Sequence, residues 1–331
     1  MHFKFPDMFY LLRKAHLLQL IVGVLALLGC GVMIFIKPLD VSLLNNSLPC
    51  SMALFQWTMS HPIGTQFLAL LFLLLQGAML FHYVRTCGFL DEENALSILF
   101  FCAFSLGMGI FLPLTPAWFT NTATLAVLNL SNRAFSSNSK TPLLLAGIVL
   151  GTATLFDLTA LLLLVFFILY VLIHQIDKLR DLLATLCGVF TPYLYLLAYH
   201  YFAGSLPAYL HSFSQLHLHF PLFTQTHYSL YALIAMPLGL LLTVYVMFRL
   251  KVLYSNKLII IRRRFLLLCI LFCFNLAMVL TSNVTFPLSL YYLIIPITVF
   301  TISFIPARNF AISSEILLAL LTASFVVMAR L

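Results

Sequence analysis

Long apolar runs recur along the whole chain and are separated by short polar segments. As α-helices, runs of about 20 apolar residues cross the roughly 30 Å of hydrocarbon in a bilayer. The pattern therefore predicts eleven membrane spans, at residues 15–36, 64–84, 95–113, 117–132, 142–156, 158–175, 182–202, 228–250, 265–282, 287–305 and 311–328. Two of these, 117–132 and 142–156, are short, and we expect them to be tilted, partly re-entrant or shielded by neighbouring helices.

The composition places the chain outside the soluble globular class. Hydrophobic residues make up 63% of the sequence and charged residues only 8%, whereas soluble domains carry about 25% charged residues. Because lipid offers no partners to backbone polar groups, segments that cross it in this way form helices. The sequence thus predicts an all-α, polytopic transmembrane bundle in which residues 1–331 form a single integral membrane domain.

The net charge of +8 is explained by membrane orientation and requires no nucleic-acid partner. When the N-terminus is placed inside, only Lys37 and Arg330 of the 17 Lys and Arg residues fall on the outer side. The densest basic group, Arg262-Arg263-Arg264, directly precedes a span. Because basic residues are retained on the cytoplasmic side, we predict a multi-pass membrane protein with a cytoplasmic N-terminus and an external C-terminus.

Histidines are concentrated in the predicted outer loop 203–227, which contains four of the chain's ten: His211, His217, His219 and His227. A zinc or transition-metal site needs about four converging ligands, and this loop contains no Asp, Glu or Cys. The H-E-x-x-H arrangement and C-x-x-C pairs are absent from the sequence. We therefore predict no metal site, and expect these histidines to contact a lipid or sugar phosphate, or simply water.

Only two acidic residues, Asp40 and Asp157, fall on the predicted outer side. Asp40 follows the first span directly, and Asp157 lies at the turn between the spans 142–156 and 158–175. A carboxylate at that depth is costly unless it is hydrated or paired, so Asp157 is a candidate functional residue. The alternative is that Asp157 caps the first amides of the following helix. Asp40 is either functional or an ordinary loop residue.

The other substantial outer loop, residues 37–63, is too apolar to be fully solvated. Its leucines and aromatic residues favour short helices lying in the interface plane, with Trp57 at the level of the lipid head groups. The alternative is a simple connector that rests on the membrane.

Residues 145–206, which include FTPYLYLLAYHYF, resemble an uncharacterised family of multi-pass inner-membrane proteins from Bacteroidota. The segment departs from the family pattern at Phe190, where a leucine is expected. The resemblance implies an inner-membrane location and no particular activity.

Residues 15–175 are similar in layout to the common membrane module of the GT-C glycosyltransferases. In that module, one span precedes an outer loop that opens with an acidic residue and contains interfacial helices. Lys37-Pro38-Leu39-Asp40 occupies the place of that acidic residue here. The stretches TPAWFTNTATLAVLNLSNR and LLLAGIVLGTATLFDLTALLLL also resemble the interior of such enzymes.

The GT-C resemblance implies transfer of a sugar from a polyprenyl-phosphate donor at the outer face. Asp40 would act as general base or would bind a divalent cation that neutralises the leaving phosphate, and Asp157 is a second catalytic candidate. His211, His217 and His219 would contact the phosphate.

Two other functions remain open. A non-catalytic membrane subunit of a cell-envelope assembly fits the shortage of charged residues inside the predicted spans, since no proton relay or ion path is visible. The same shortage makes an ion-coupled transporter the weaker alternative. The expected partners are the lipid bilayer, a polyprenyl-phosphate lipid and other envelope membrane proteins.

The predicted topology can be tested by labelling single cysteines introduced into the loops. Positions near Lys140 and Lys257 should react only from the cytoplasmic side, and positions near Ser47 and Ser212 only from outside. Reversal of either pair would contradict the span count.

Overall fold

The computed structural model describes residues 16–36, 48–89, 96–107, 115–137, 141–174, 178–214, 230–255, 257–282 and 288–304. Within these ranges 94% of the residues are helical and none lies in a β-strand. The helices are α1 (His16–Ile36), α2 (Pro49–Ser60), α3 (Pro62–Cys87), α4 (Leu96–Gly107), α5 (Pro116–Ser137), α6 (Thr141–Phe156), α7 (Leu161–His174), α8 (Lys178–Phe202), α9 (Leu206–Ser214), α10 (Leu230–Tyr254), α11 (Ile259–Thr281) and α12 (Ile294–Phe304). Short 3-10 helices, Leu158–Ala160 and Leu288–Leu293, precede α7 and α12.

The prediction of an all-helical protein is confirmed. Among the described residues, three helices, α3, α8 and α11, are long and apolar enough to cross a membrane, which agrees with the prediction of a membrane protein. Helices occupy the first ten predicted spans at least in part, and the eleventh, 311–328, lies outside the described residues. The count of eleven spans and the sidedness of the termini stay predictions.

Two pairs of helices, α3 with α5 and α6 with α8, run parallel. Gln76 in α3 donates to the carbonyl oxygen of Trp118 at the start of α5 (3.0 Å). Asn132, near the end of α5, donates to Thr86 at the end of α3 (3.0 Å). The pair α6 and α8 is related in the same way, because Gly147 faces Thr185 and Gly151 faces Val189.

Helix α12 lies in the centre of the bundle. Its side chains from Ile294 to Ser303 are all buried, as are those of the preceding 3-10 helix from Ser289 onward. Phe300 packs edge-on against Phe265 and Phe272 of α11, each at 6.0 Å between ring centroids. A helix that is largely apolar on every side is typical of a protein core or of a membrane span, and the burial of all these side chains places α12 in the core.

Glycines bring α6 and α8 into backbone contact. Gly147 and Gly151 lie one turn apart on α6 and face α8, whose Gly188 faces α6 in return. A methyl group on Gly147 would overlap the carbonyl oxygen of Thr185, and one on Gly188 would overlap that of Leu144. Small residues spaced by four allow such close approach in membrane helices, where packing rather than water exclusion drives association.

We predict that Gly147→Ala destabilises the protein, because the added methyl group forces α6 away from α8. Overpacking of this kind costs about 1–3 kcal/mol and should lower the melting temperature of the detergent-purified chain. The matched control is Gly29→Ala in α1, where nothing lies within 4 Å of the new methyl group. Equal melting temperatures for the two variants would contradict the α6–α8 contact.

Candidate functional site

Asp157 lies at the break between α6 and the 3-10 helix that precedes α7. Its backbone is extended (φ −140°, ψ 113°), and Oδ1 of its side chain accepts from the amide of Thr159 (3.0 Å) and from the Thr159 hydroxyl (2.6 Å). Asp followed two residues later by Thr favours such a local turn, because the side chains offer the backbone an alternative to the helical ladder. The capping alternative for Asp157 is therefore observed in the structure.

The same carboxylate also joins separate parts of the chain. Its Oδ2 accepts from the hydroxyl of Thr120 in α5 (2.7 Å) and from the hydroxyl of Tyr292 (2.6 Å), just before α12. Asp157 is only 6% exposed. An isolated buried carboxylate is costly, and the four donors around Asp157 offset that cost.

The backbone next to Tyr292 is held by two asparagines. Asn275 of α11 donates to the carbonyl oxygen of Tyr292 (2.7 Å), and Asn121 of α5 donates to that of Tyr291 (2.7 Å). Away from water, irregular backbone is tolerated only where the protein satisfies its polar groups. The side-chain amides thus stabilise the 3-10 segment Leu288–Leu293 inside the bundle.

A second polar chain continues from Tyr291 to α3. The Tyr291 hydroxyl donates to Oε1 of Gln76 (2.7 Å), and Nε2 of Gln76 donates to Thr122 (2.9 Å) as well as to Trp118. The ring of Tyr291 also stacks on that of Trp118, with 5.3 Å between centroids. Together with Asp157 and its donors, these groups form one buried network, called here the Asp157 network.

Short helices from the two predicted outer loops lie beside the C-terminal ends of α6 and α8. Helix α2 contacts α6, and α9 contacts α8. His200 of α8 bonds to Ser205 (2.8 Å) and stacks on Tyr209 of α9 at 4.1 Å. Burial raises the pKa of the Tyr209 phenol to about 12, and the nearby Cys50 thiol of α2 adds to the increase. The flanks of both loops therefore meet at one end of the bundle.

An open groove of about 580 Å³ runs between α6 and α8. It is mostly apolar, with hydroxyl groups from two threonines and two tyrosines along its walls. The lining residues are Ile148, Thr152, Leu155, Thr191, Pro192, Tyr195, Leu196 and Tyr199. Its walls reach Tyr199, whose ring meets that of His200 edge-on at 5.4 Å, so the groove leads to the end where α2 and α9 lie.

The structure describes two of the five residues predicted to form the site. Asp157 is buried in its network, whereas His211 is exposed on α9. Asp40, His217 and His219 lie outside the described residues, so their predicted roles stay predictions. Among the residues that the structure describes, no group of three or more His, Cys, Asp and Glu side chains could hold a metal ion.

The other members of the Asp157 network are not evident from the sequence. Thr120, Gln76 and Tyr292 are ordinary members of apolar spans when the sequence is read alone. The available signal was the run of hydroxyl and amide side chains in α5, which includes Thr120, Asn121 and Asn132. Polar groups of this density within a span indicate contacts with other polar groups.

Comparison of the chain with protein-family models, with curated proteins and with solved structures yields no match.

We predict that Tyr292→Phe destabilises the folded protein while leaving the apolar packing of the ring intact. It removes one donor from the buried carboxylate, and hydrogen bonds to charged groups contribute about 1.5–3 kcal/mol. The matched control is Tyr195→Phe, at a tyrosine that is 75% exposed. Thermal melts of both variants in the same detergent should show a loss only for Tyr292→Phe. If Tyr292→Phe melts at the same temperature as the control, the Asp157 network does not stabilise the fold.

Proposed function

We propose that this chain is an inner-membrane transferase of GT-C-like architecture that moves a sugar from a polyprenyl-phosphate donor at the outer face. The observation that supports it best is the placement of α2 and α9 beside the groove. Helix α2 follows the segment that contains Asp40, and α9 precedes the segment that contains His217 and His219. A groove with apolar walls is suited to the isoprenoid chain of such a donor, since lipid-binding sites are lined mainly by apolar groups with a few placed hydroxyls.

In this proposal Asp40 acts on the reacting groups. It follows Pro38, a residue type that does not continue a helix, shortly after α1 ends at Ile36. A carboxylate there stays hydrated yet reaches a lipid phosphate, either as general base or as a ligand of a divalent cation that neutralises the leaving phosphate. His217 and His219 contact the phosphate, and His211 on α9 lies at the edge of the same segment.

In this proposal Asp157 is a positioning residue. Both of its oxygens accept hydrogen bonds from the protein's own donors, and its side chain is buried. It fixes the outer ends of α5, α6 and α7 relative to each other and so sets the shape of the surface on which transfer occurs.

A second candidate function is a non-catalytic membrane subunit of a cell-envelope assembly. The observation that favours it is the same saturation of Asp157, because a carboxylate whose oxygens are both engaged has a complete structural role. In that case the exposed aromatic side chains of α8, including Tyr195, Tyr199 and Phe202, meet lipid or a partner helix.

Asp40→Asn separates the two functions. As a general base or metal ligand, the carboxylate contributes roughly a hundred- to ten-thousandfold in rate. We therefore expect the wild-type gene to restore the normal envelope of a deletion strain and the variant gene to fail to do so. Asn keeps the size and the capping ability of Asp, and membrane level and melting temperature should be unchanged.

The matched control is Lys37→Gln, which removes a charge from the same loop and should complement fully. Full complementation by Asp40→Asn, at wild-type membrane levels, would instead support the non-catalytic subunit.

A further inference from the structure

The ends of α3, α10 and α11 are held together at the end of the bundle opposite α2 and α9. Nη1 of Arg264 donates to the carbonyl oxygens of Thr86 (3.1 Å) and Cys87 (2.8 Å), the last two residues of α3. The hydroxyl of Tyr254, the last residue of α10, donates to the carbonyl oxygen of Phe89 (3.1 Å). Arg264 is thus used inside the protein, where it satisfies the negative end of α3.

Other basic residues at these helix ends lie on the surface of the protein. Arg262 and Arg263 are exposed at the start of α11, and Lys251 is exposed in the last turn of α10. The first turn of α11 contains no acidic residue, and the positive end of its helix dipole lies at the same place. The basic residues of these helix ends and of the α10–α11 turn are Arg85, Arg249, Lys251, Lys257, Arg262, Arg263 and Arg264. They outnumber the three acidic residues 91–93 that follow α3 in the sequence.

The depth of the arginines matches that of lipid phosphates. Helix α11 has 23 residues and rises about 1.5 Å per residue, so Arg262 lies roughly 28 Å along the axis from Thr281. A bilayer core is about 30 Å thick. If Thr281 lies at one boundary of the hydrocarbon, Arg262 and Arg263 lie at the other boundary, where the head groups begin.

We propose that Arg262 and Arg263 form a binding site for the phosphate of an anionic phospholipid. Charge and depth both point to this ligand, since clusters of basic residues next to a membrane span attract anionic lipids. Arg264 holds the ends of α3 and α11 in place and so positions the two exposed arginines. The site does not depend on whether the protein transfers a sugar.

The test uses the full-length purified chain titrated with phosphatidylglycerol or phosphatidylcholine, with bound lipid measured by native mass spectrometry and by thermal stabilisation. The wild type should bind phosphatidylglycerol more tightly and be stabilised by it. Each of the two arginines should contribute a factor of about five to that binding, so Arg262→Gln combined with Arg263→Gln should weaken it roughly 25-fold. Replacing both arginines with lysine should retain it, because the charge is kept.

Arg180→Gln is the matched control, since it removes an exposed basic residue from the first turn of α8 and should leave binding unchanged. Equal affinity of the wild type for the two lipids would overturn the proposal. This comparison needs only the wild-type protein, so it is decisive even if the double variant fails to fold. The proposal is equally wrong if the double glutamine variant retains its preference for phosphatidylglycerol. Stabilisation by inorganic phosphate alone, to the same extent as by phosphatidylglycerol, would show a site for free anions instead of a lipid.

Discussion

The buried carboxylate of Asp157 is the constraint on which the arrangement of the described helices depends. A carboxylate removed from water costs several kcal/mol unless donors surround it. Thr159, Thr120 and Tyr292 supply these donors from three separate parts of the chain. Satisfying one side chain therefore fixes the break after α6, the start of α5 and the segment before α12 at the same point.

The two interruptions of regular helix are joined at this junction for a physical reason. Breaks expose carbonyl groups that only the protein can satisfy in an apolar environment. Asn121 and Asn275 donate to the carbonyl oxygens of Tyr291 and Tyr292, while the break at Asp157 is capped by its own side chain and Thr159. The polar residues of α5 are thus matched to the irregular segment before α12, which explains why an otherwise apolar bundle contains so many amides and hydroxyls.

Hydropathy was sufficient to predict the long helices, because each long apolar run satisfies its own backbone only as a helix. It did not predict α9, which lies in the predicted loop 203–227, or the 3-10 helix Leu288–Leu293 within the predicted span 287–305. The cap at Asp157 could also be predicted from the sequence, since it involves Thr159, two residues away. The hydrogen bonds of Asp157 to other helices could not be predicted, because the contact between Asp157 and Tyr292 joins residues 135 positions apart in the sequence. The same is true of Gly147 and Gly188, whose role depends on which helix lies opposite. Asp40, His217 and His219 lie outside the described residues, so their part of the candidate site rests on sequence alone.

The groove between α6 and α8 is shaped by contacts that leave little room for adjustment. Gly147, Gly151 and Gly188 bring backbone against backbone, and Tyr193 of α8 donates to Thr154 of α6 (2.7 Å). Neither contact involves a long flexible side chain, so the distance between the walls of the groove is set by the backbone. A chain-like ligand would enter a preformed site and would lose less binding energy to ordering the protein. Selectivity would then arise from the fit of the chain between fixed walls, with Tyr195 and Tyr199 providing the directional contacts at the edge.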